Sequence, residues 1–241
     1  MPRTARSLLC GNFLHIIVQG INKEEIFYKK EYKLEYKKIL QRETKDKNIK
    51  IIAYCIMNNH VHILFYTEKI EELSKCMHKI NTIYAIYYNK REKRVGYVYR
   101  NRYYTKPIND ERHLATCISY IHNNPVKAGI VRYKSQYEYS SYSEFTNESK
   151  SEMITTKPII NIFGSIKNCK NAINDINNNK SREFEIEDDT DYNRVIKNYR
   201  KNKFDTDMII EKLNSEYKIS TRRIAQILGV TRYYVRKIIE K

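Results

Sequence analysis

Residues Tyr54–Phe65 read Tyr-Cys-Ile-Met-Asn-Asn-His-Val-His-Ile-Leu-Phe, which is two short apolar runs joined by a polar connection. Both runs are rich in β-forming residues, and the connection has the composition of a tight turn, so two adjacent strands are predicted. Residues two apart in a strand point to the same face, so His60 and His62 should project together, opposite Val61. Two imidazoles held side by side form half of a divalent metal site. A pair of surface or hydrogen-bonded core histidines is the alternative interpretation.

The 241-residue chain is strongly basic, with a formal net charge of +17. Residues 1–145 carry 26 basic and 14 acidic side chains, residues 146–192 carry 6 and 9, and residues 193–241 carry 13 and 5. Two basic blocks around a mildly acidic one indicate a polyanionic partner, most commonly nucleic acid. The abundance of Lys, Asn, Ile and Tyr also fits an AT-rich coding bias, so the 22 tyrosines alone indicate no function.

The composition also argues against a membrane protein and against a small disulfide-rich protein. The mean hydropathy is −0.71, and no apolar run approaches the roughly 18 residues of a membrane span. The N-terminus lacks the apolar core of a signal peptide. The five cysteines are scattered without a Cys-x-x-Cys motif. The scattered cysteines are therefore expected to be reduced cytosolic thiols. The low hydropathy leads us to expect no membrane partner.

Hydrophobic periodicity predicts alternating strands and helices in residues 1–145. Strands are expected at 13–19, 49–55, 60–66 and 97–105. Amphipathic helices are expected at 24–46, at 68–90, and from Asn109 or Asp110 to Asn124, just before Pro125. This order is that of a ferredoxin-like (RRM-like) α+β sandwich with an antiparallel sheet and one added helix. Such a sheet would leave one face free for the histidines.

The remaining residues predict a linker and an all-α region. Residues 146–192 are rich in Asn, Ser, Lys and acidic residues, and read as a linker with short helices near 158–166 and 168–177. Residues 193–241 predict helices at 205–216, 222–228 and 231–240, the last two separated by a short turn. This pair resembles a helix-turn-helix, although an ordinary helical hairpin is the alternative. Its recognition helix would present Thr231, Arg232, Tyr233, Arg236 and Lys237 to DNA.

The third predicted helix carries Tyr120 and Asn124, which share a face because they are four residues apart. A tyrosine hydroxyl can be a covalent nucleophile, but its unperturbed pKa of about 10 means that it needs assistance at neutral pH. A metal held by His60, His62 and the Asn124 amide oxygen could polarise a phosphate and stabilise the developing charge. Attack by Tyr120 would break the DNA backbone and leave a phosphotyrosine that a second strand end could rejoin. The alternative is that Tyr120 is one of the 22 tyrosines and only packs in the core.

These motifs resemble the single-tyrosine HUH transposases, specifically the REP-associated tyrosine transposases. The resemblance covers roughly residues 1–145, and the order of its motifs makes it specific. The matching stretches are Met1–Arg6, Leu14–Ile16, Gln19–Asn22, Ala53–Leu64, Arg100–Tyr104, Tyr120–Gly129 and Ser140–Tyr142. The chain departs from the family at Asn58, where proline is common, and in its long tail, which only some relatives carry.

The resemblance implies the HUH fold, a divalent metal (Mg²⁺ or Mn²⁺) on His60 and His62, and Tyr120 as the nucleophile that forms a 5′-phosphotyrosine on single-stranded DNA. Asn124 stands where relatives place a polar third ligand, often Gln. The implied substrate is an imperfect-palindrome DNA hairpin beside a short guide sequence, cleaved and rejoined in the bacterial cytosol at the nucleoid. Compact insertion-sequence relatives are dimers and REP-associated relatives can act as monomers, so the resemblance leaves both states open and favours a monomer. We expect DNA backbone contacts from Arg3, Arg6, Arg91, Arg94, Arg100 and Arg102.

Other functions stay open on the sequence alone. The sheet could be a nucleic-acid platform in a regulator, but the third strand carries histidines where such platforms carry stacking aromatics. Replication initiators and relaxases share the superfamily, but they often carry two tyrosines or a helicase domain, and neither is apparent here. A domesticated protein that binds hairpins without mobilising them would have the same sequence.

Overall fold

The computed structural model describes residues 12–146, 153–175, 196, 199–201, 204–216 and 221–240. The chain divides into two compact units, residues 1–184 and 185–241, each with its own hydrophobic cluster. None of the helices in the described part of the chain combines the length and apolar character that a bilayer span requires. Cys55, Cys76, Cys117 and Cys169 are buried free thiols, and Cys10 lies outside the described residues.

The first unit contains a four-stranded antiparallel sheet: β1 Phe13–Gln19, β2 Ile49–Ile56, β3 His60–Thr67 and β4 Tyr104–Pro107. The strand order is β2-β3-β1-β4, with all neighbours antiparallel. The predicted ferredoxin-like sheet is therefore confirmed. β1 and β3 are central and almost wholly buried, which explains why their sequences are nearly continuous apolar runs.

Helices cover both faces of this sheet. They are α1 Lys30–Thr44, α2 Ile70–Arg91 and α3 Glu111–Lys127. Tyr54 pairs with Ile63 across the sheet, and the Lys37 ammonium of α1 lies 5.3 Å from the Tyr54 ring centroid. α1 therefore lies on the Ile63 face, together with α2, which packs against it. α3 contacts β2 and β3 from the opposite, histidine-bearing face.

α3 is longer than the sequence predicts. The expected end near Asn124 is wrong, because the helix continues through Pro125 to Lys127. Proline removes one helical N–H, but the final turn is still closed by the Ala128 N–H donating to the Asn124 carbonyl at 2.9 Å. Both Asn124 and Pro125 are buried, so packing outweighs the local preference of the pre-proline residue.

β4 and α1 also differ from their predicted bounds. The expected strand at 97–105 is wrong over most of its length, because only Tyr104–Pro107 pairs regularly with β1. Upstream, the Val98 carbonyl accepts from the Ile21 N–H, and the Arg100 N–H donates to the Gln19 carbonyl. These bonds hold residues 97–103 irregularly beside the end of β1. α1 begins at Lys30 rather than near residue 24, after a short 3-10 turn.

Part of the predicted linker belongs to the first core. Helices α4 Tyr142–Thr146, α5 Lys157–Phe163 and α6 Ile166–Asn174 follow α3. The Thr155 N–H donates to the Ile51 carbonyl at 2.8 Å, which attaches this segment to β2. The buried apolar side chains of α5 and α6 then join the first hydrophobic cluster. The two short helices are present as predicted, but they pack as core elements because they are amphipathic.

The second unit contains α7 Thr206–Ser215, α8 Thr221–Leu228 and α9 Arg232–Ile239, close to the predicted bounds. Gly229 adopts a φ of 69° in the turn between α8 and α9, a conformation that glycine adopts without strain. Thr231 caps α9 by accepting from the Tyr234 N–H at 3.2 Å. The cluster beneath them includes Ile209, Ile210, Leu213, Ile224, Val235 and Ile238.

Candidate active site

The two histidines of β3 lie together beneath α3. His60 pairs with Gln19 and His62 with Ile17 in the central ladder, so neighbouring strands fix both backbones. The two imidazole centroids are 4.7 Å apart, with the rings nearly perpendicular. His62 is buried, and His60 is partly exposed.

Each of these imidazoles has a partner on Nδ1. His60 Nδ1 lies 2.6 Å from Asn59 Oδ1, and His62 Nδ1 lies 3.1 Å from His15 Nε2 on β1. His62 Nε2 is buried and has no hydrogen-bond partner among the described residues. Buried polar atoms are rarely left without a partner. An imidazole held at Nδ1 with a bare Nε2 is the arrangement found at metal-ligating histidines.

His15 is the site residue that the sequence prediction omits. It is completely buried, and burial lowers its pKa to about 3, with contributions from Lys106 and His113. Burial also lowers the pKa of His62 well below its usual value, assisted by His60 and His15. Both rings are therefore neutral at pH 7 and carry lone pairs. The available signal was that His15 interrupts the otherwise apolar run Phe13–Val18 of β1.

Tyr120 lies directly over the histidines. Its ring centroid is 5.2 Å from that of His62 and 6.1 Å from that of His15, in edge-on contacts. Only 5% of the side chain is exposed. The Lys127 ammonium, two helical turns further along α3, is 5.0 Å from the same ring centroid. Tyr120 thus sits between neutral imidazoles and a positive charge.

Asn124 lies one turn beyond Tyr120 and is also buried. Its Nδ2 donates to the Tyr120 carbonyl at 2.8 Å, so Oδ1 is the atom that could act as a ligand. Within the described ranges, no group of three or more His, Cys, Asp or Glu could hold a metal. An ion bound here would therefore take two imidazoles and otherwise oxygen ligands, which suits Mg²⁺ or Mn²⁺.

A buried hydrogen-bond chain fastens α3 to the sheet. His122 Nε2 lies 2.9 Å from Ser141 Oγ, which in turn accepts from the Tyr54 N–H of β2 at 2.8 Å. Burial lowers the pKa of His122 to about 3, so this ring is neutral. These hydrogen bonds indicate that His122 and Ser141 help to position the helix that carries Tyr120.

The predicted DNA-contacting arginines of the first unit are dispersed. Arg91 lies at the end of α2, with its guanidinium carbon 5.5 Å from the Tyr87 ring centroid. Arg94 pairs with Glu24 at 2.7 Å, and this pair raises its pKa. Arg100 and Arg102 lie together in the irregular segment before β4. Arg3 and Arg6 lie outside the described residues.

The predicted contacts of the second unit share one surface. Arg232, Tyr233, Arg236 and Lys237 are all exposed on α9, and Tyr233 is 77% exposed. Val235 and Ile238 of the same helix face its core. α9 therefore separates an apolar inner face from a basic, aromatic outer one.

The strand that carries the histidines and the helix that carries Tyr120 fall within a match to a known family. Residues 12–124 match the family described as "Transposase IS200 like". The match spans 113 of the 241 residues, so this part of the chain is similar to that family. The resemblance indicated by the sequence motifs is thus confirmed, and the histidine pair, Tyr120 and Asn124 all lie within the IS200-like region.

The chain is also similar to two individual proteins. It is 24% identical over 146 residues to a Haemophilus influenzae protein provisionally named a REP-associated tyrosine transposase, covering 54% of this chain and 78% of that protein. A solved structure described as a REP-associated tyrosine transposase bound to a REP hairpin matches with a TM-score of 0.49 and 16% identity. That match covers 58% of this chain and 82% of the other.

Proposed function

We propose that this protein is a metal-dependent single-tyrosine transposase that cleaves and rejoins single-stranded, hairpin-bearing DNA through Tyr120. The observation that carries the proposal is the contact of Tyr120 with His62, whose Nε2 is buried and has no hydrogen-bond partner among the described residues. The proposed nucleophile therefore lies beside a nitrogen that could ligate a metal ion. The match of residues 12–124 to the IS200-like family supports the same reaction class.

The chemistry follows from the residues present. The phenol of Tyr120 gives up its proton and its oxygen attacks the phosphorus of a DNA phosphodiester, and the bond from phosphorus to the 3′ oxygen breaks. The bonding pair leaves with that oxygen, which takes up a proton, and the 5′ phosphate stays on Tyr120 as a phosphotyrosine. Attack by another 3′ hydroxyl reverses these steps and joins a new strand. The Lys127 ammonium beside the ring complements the negative charge that develops during attack.

His60 Nε2, His62 Nε2 and Asn124 Oδ1 would hold the divalent ion. When bound, the ion supplies Lewis-acid polarisation of the phosphate and stabilises charge at the transition state. The side-chain oxygen Oδ1 of Asn59 accepts from Nδ1 of His60, which leaves the lone pair of that ring on Nε2. His15 Nε2 would do the same for His62, as an acceptor on the neighbouring strand. We therefore include His15 as a positioning residue.

Replacement of His15 tests this role. His15→Leu should lower Mn²⁺ affinity about 10- to 100-fold, the usual loss when an outer-shell partner is removed. His15→Gln, which can offer Oε1 near the original acceptor position, should recover part of the affinity. Mn²⁺ titration followed by electron paramagnetic resonance gives the affinities, and thermal unfolding checks that both variants fold. Wild-type affinity in His15→Leu would remove His15 from the site.

The proposed substrate is a DNA hairpin with an unpaired flank. The H. influenzae relative's name associates that protein with REP elements, and the two basic blocks of this chain suit a folded single strand. A short duplex offers phosphates, and an unpaired flank offers bases that can stack. Acting on such DNA would place the protein in the bacterial cytosol. A hairpin-binding regulator without strand transfer is the second candidate, because the exposed basic face of α9 suits DNA binding alone.

Deletion of residues 193–241 should separate hairpin binding from DNA nicking. We expect weaker hairpin binding with a shallower salt dependence, because the basic residues of α9 no longer neutralise phosphates. Each lost contact reduces the slope of log K against log salt by about 0.7 to 0.9. Some nicking should remain, since Tyr120 and the histidines lie in the other unit. Binding titrations at several salt concentrations measure the slope, and an unchanged slope would count against a DNA-contacting tail.

The test of the proposed reaction is a denaturing gel with labelled hairpin DNA and Mn²⁺. A slowly migrating, protease-sensitive adduct that disappears with chelator is the expected product. Hairpin binding without any adduct or nick under all divalent metals would favour the regulator instead.

A further inference from the structure

A groove of about 960 Å³ lies between α2 and the irregular residues 96–103, within the first unit. One wall is the stripe of α2 that runs from Ser74 to Asn89, and the other is the segment that precedes β4. We call this feature the α2 groove. α2 packs on the face of the sheet opposite the histidines, so the groove is distinct from the Tyr120 site.

The lining of the α2 groove is basic, aromatic and free of carboxylates. Arg100 and Arg102 contribute two positive charges, and no Asp or Glu is among the described residues that line it. Three tyrosines are present, and Tyr97 exposes 84% of its surface. Positive charge with exposed aromatic rings is the combination that binds single-stranded nucleic acid, by phosphate pairing and base stacking.

Two buried polar atoms in the groove lining have no hydrogen-bond partner among the described residues. They are Asn89 Oδ1 and the Tyr99 hydroxyl oxygen. Asn89 Nδ2 donates to the Gly96 carbonyl at 2.9 Å, which fixes the amide and leaves its oxygen as an acceptor. Buried atoms of this kind call for an explanation. A ligand with its own donors supplies one, and the exocyclic amines and ring N–H groups of unpaired bases are such donors.

The groove adjoins the end of the histidine strand. The Arg100 N–H donates to the Gln19 carbonyl, and Gln19 pairs with His60. Arg100 is therefore about two strand spacings, roughly 10 Å, from the first metal-ligating histidine. A single strand with one phosphate at Tyr120 could pass around this sheet end and continue into the groove.

We propose that the α2 groove binds the unpaired segment that flanks the DNA hairpin. Arg100 and Arg102 pair with its phosphates, a base stacks on Tyr97, and base donors reach Asn89 Oδ1. The proposal rests on the proposed function, since it assigns part of the same substrate to a second surface. It gives the irregular segment before β4 a role in recognition.

The test compares two DNAs and three variants. One DNA is a blunt hairpin, and the other has the same stem with an unpaired flank. Ile86→Glu places a carboxylate in the groove at a residue that is 65% exposed, and Ile70→Glu is its control on the same helix, at 60% exposure and outside the groove lining. Tyr97→Ala removes the stacking ring. Fluorescence anisotropy measures affinity, and thermal unfolding checks each fold.

Wild type should bind the flanked hairpin more tightly than the blunt one. Ile86→Glu and Tyr97→Ala should each remove about tenfold of the affinity for the flanked hairpin, the order expected for one stacked base. Both should leave binding to the blunt hairpin unchanged, and Ile70→Glu should match wild type on both DNAs. Equal behaviour of Ile86→Glu and Ile70→Glu would overturn the groove assignment, as would equal wild-type affinity for the two hairpins. Failure of the proposed function would be visible separately, as wild-type protein that forms no adduct with either DNA.

Discussion

Tyr120→Phe should abolish the covalent protein–DNA adduct while leaving hairpin affinity and Mn²⁺ affinity close to wild type. The substitution removes the hydroxyl oxygen that is proposed to attack phosphorus and keeps the ring that packs against His62. Loss of one hydroxyl should change the free energy of unfolding by about 1 kcal/mol. The labelled-hairpin gel measures the adduct, and anisotropy measures binding.

A matched control is available on α2. Tyr88 is 6% exposed, compared with 5% for Tyr120, and it lies outside both proposed DNA sites. Tyr88→Phe should therefore form the adduct at the wild-type level. If Tyr120→Phe still forms a protease-sensitive adduct, another residue is the nucleophile and the proposed mechanism is wrong.

His60→Ala should remove both Mn²⁺ binding and adduct formation. Loss of a direct ligand should cost at least the roughly 100-fold that marks the upper end for outer-shell partners. His60 is partly exposed, so truncation creates little buried cavity and the fold should survive. Mn²⁺ titration by electron paramagnetic resonance measures the affinity, and the gel measures the adduct.

The two substitutions are most informative as a pair. Tyr120→Phe should retain the metal and lose the chemistry, whereas His60→Ala should lose both. Adduct formation by His60→Ala at the wild-type rate, with unchanged Mn²⁺ affinity, would show that the histidine pair is structural. Together, the two substitutions therefore distinguish a metal site from a cluster of core histidines, which is the alternative that the sequence left open.

The sheet and the identity of the candidate site residues were predictable because they depend on local patterns. The turn at Met57–Asn59 and the two-residue alternation around His60 and His62 determine which side chains share a face. The spacing of Tyr120 and Asn124 determines a helix face in the same way. The order of the motifs along the chain then indicated that the strand face with the histidines and the helix face with Tyr120 belong to one family fold.

The contact of His15 with His62 was not predictable, because it depends on the register between β1 and β3. These strands are separated by a helix and a strand, and no local pattern specifies which residue of β1 lies beside His62. The helical state of Pro125 was missed for a related reason. Burial of that residue depends on tertiary packing, which a rule for adjacent residues does not include.

The segment before β4 was mispredicted because it resembles a strand in composition. Tyr97–Thr105 is rich in tyrosine, which favours strands, but only its end pairs regularly with β1. The buried helices α5 and α6 were underestimated because residues 146–192 are polar overall. A few apolar residues at helical spacing were sufficient to attach them to the core.

The separate hydrophobic clusters of the two units have an evolutionary consequence. Mutations on the outer face of α9 change its charge and shape outside the first cluster, since the two clusters share no side chain among the residues that the structure describes. If the tail binds DNA as proposed, selection can alter its DNA preference while the residues around Tyr120 stay constant. A lineage of such proteins could follow drifting hairpin sequences in its host genome by diversifying the tail alone.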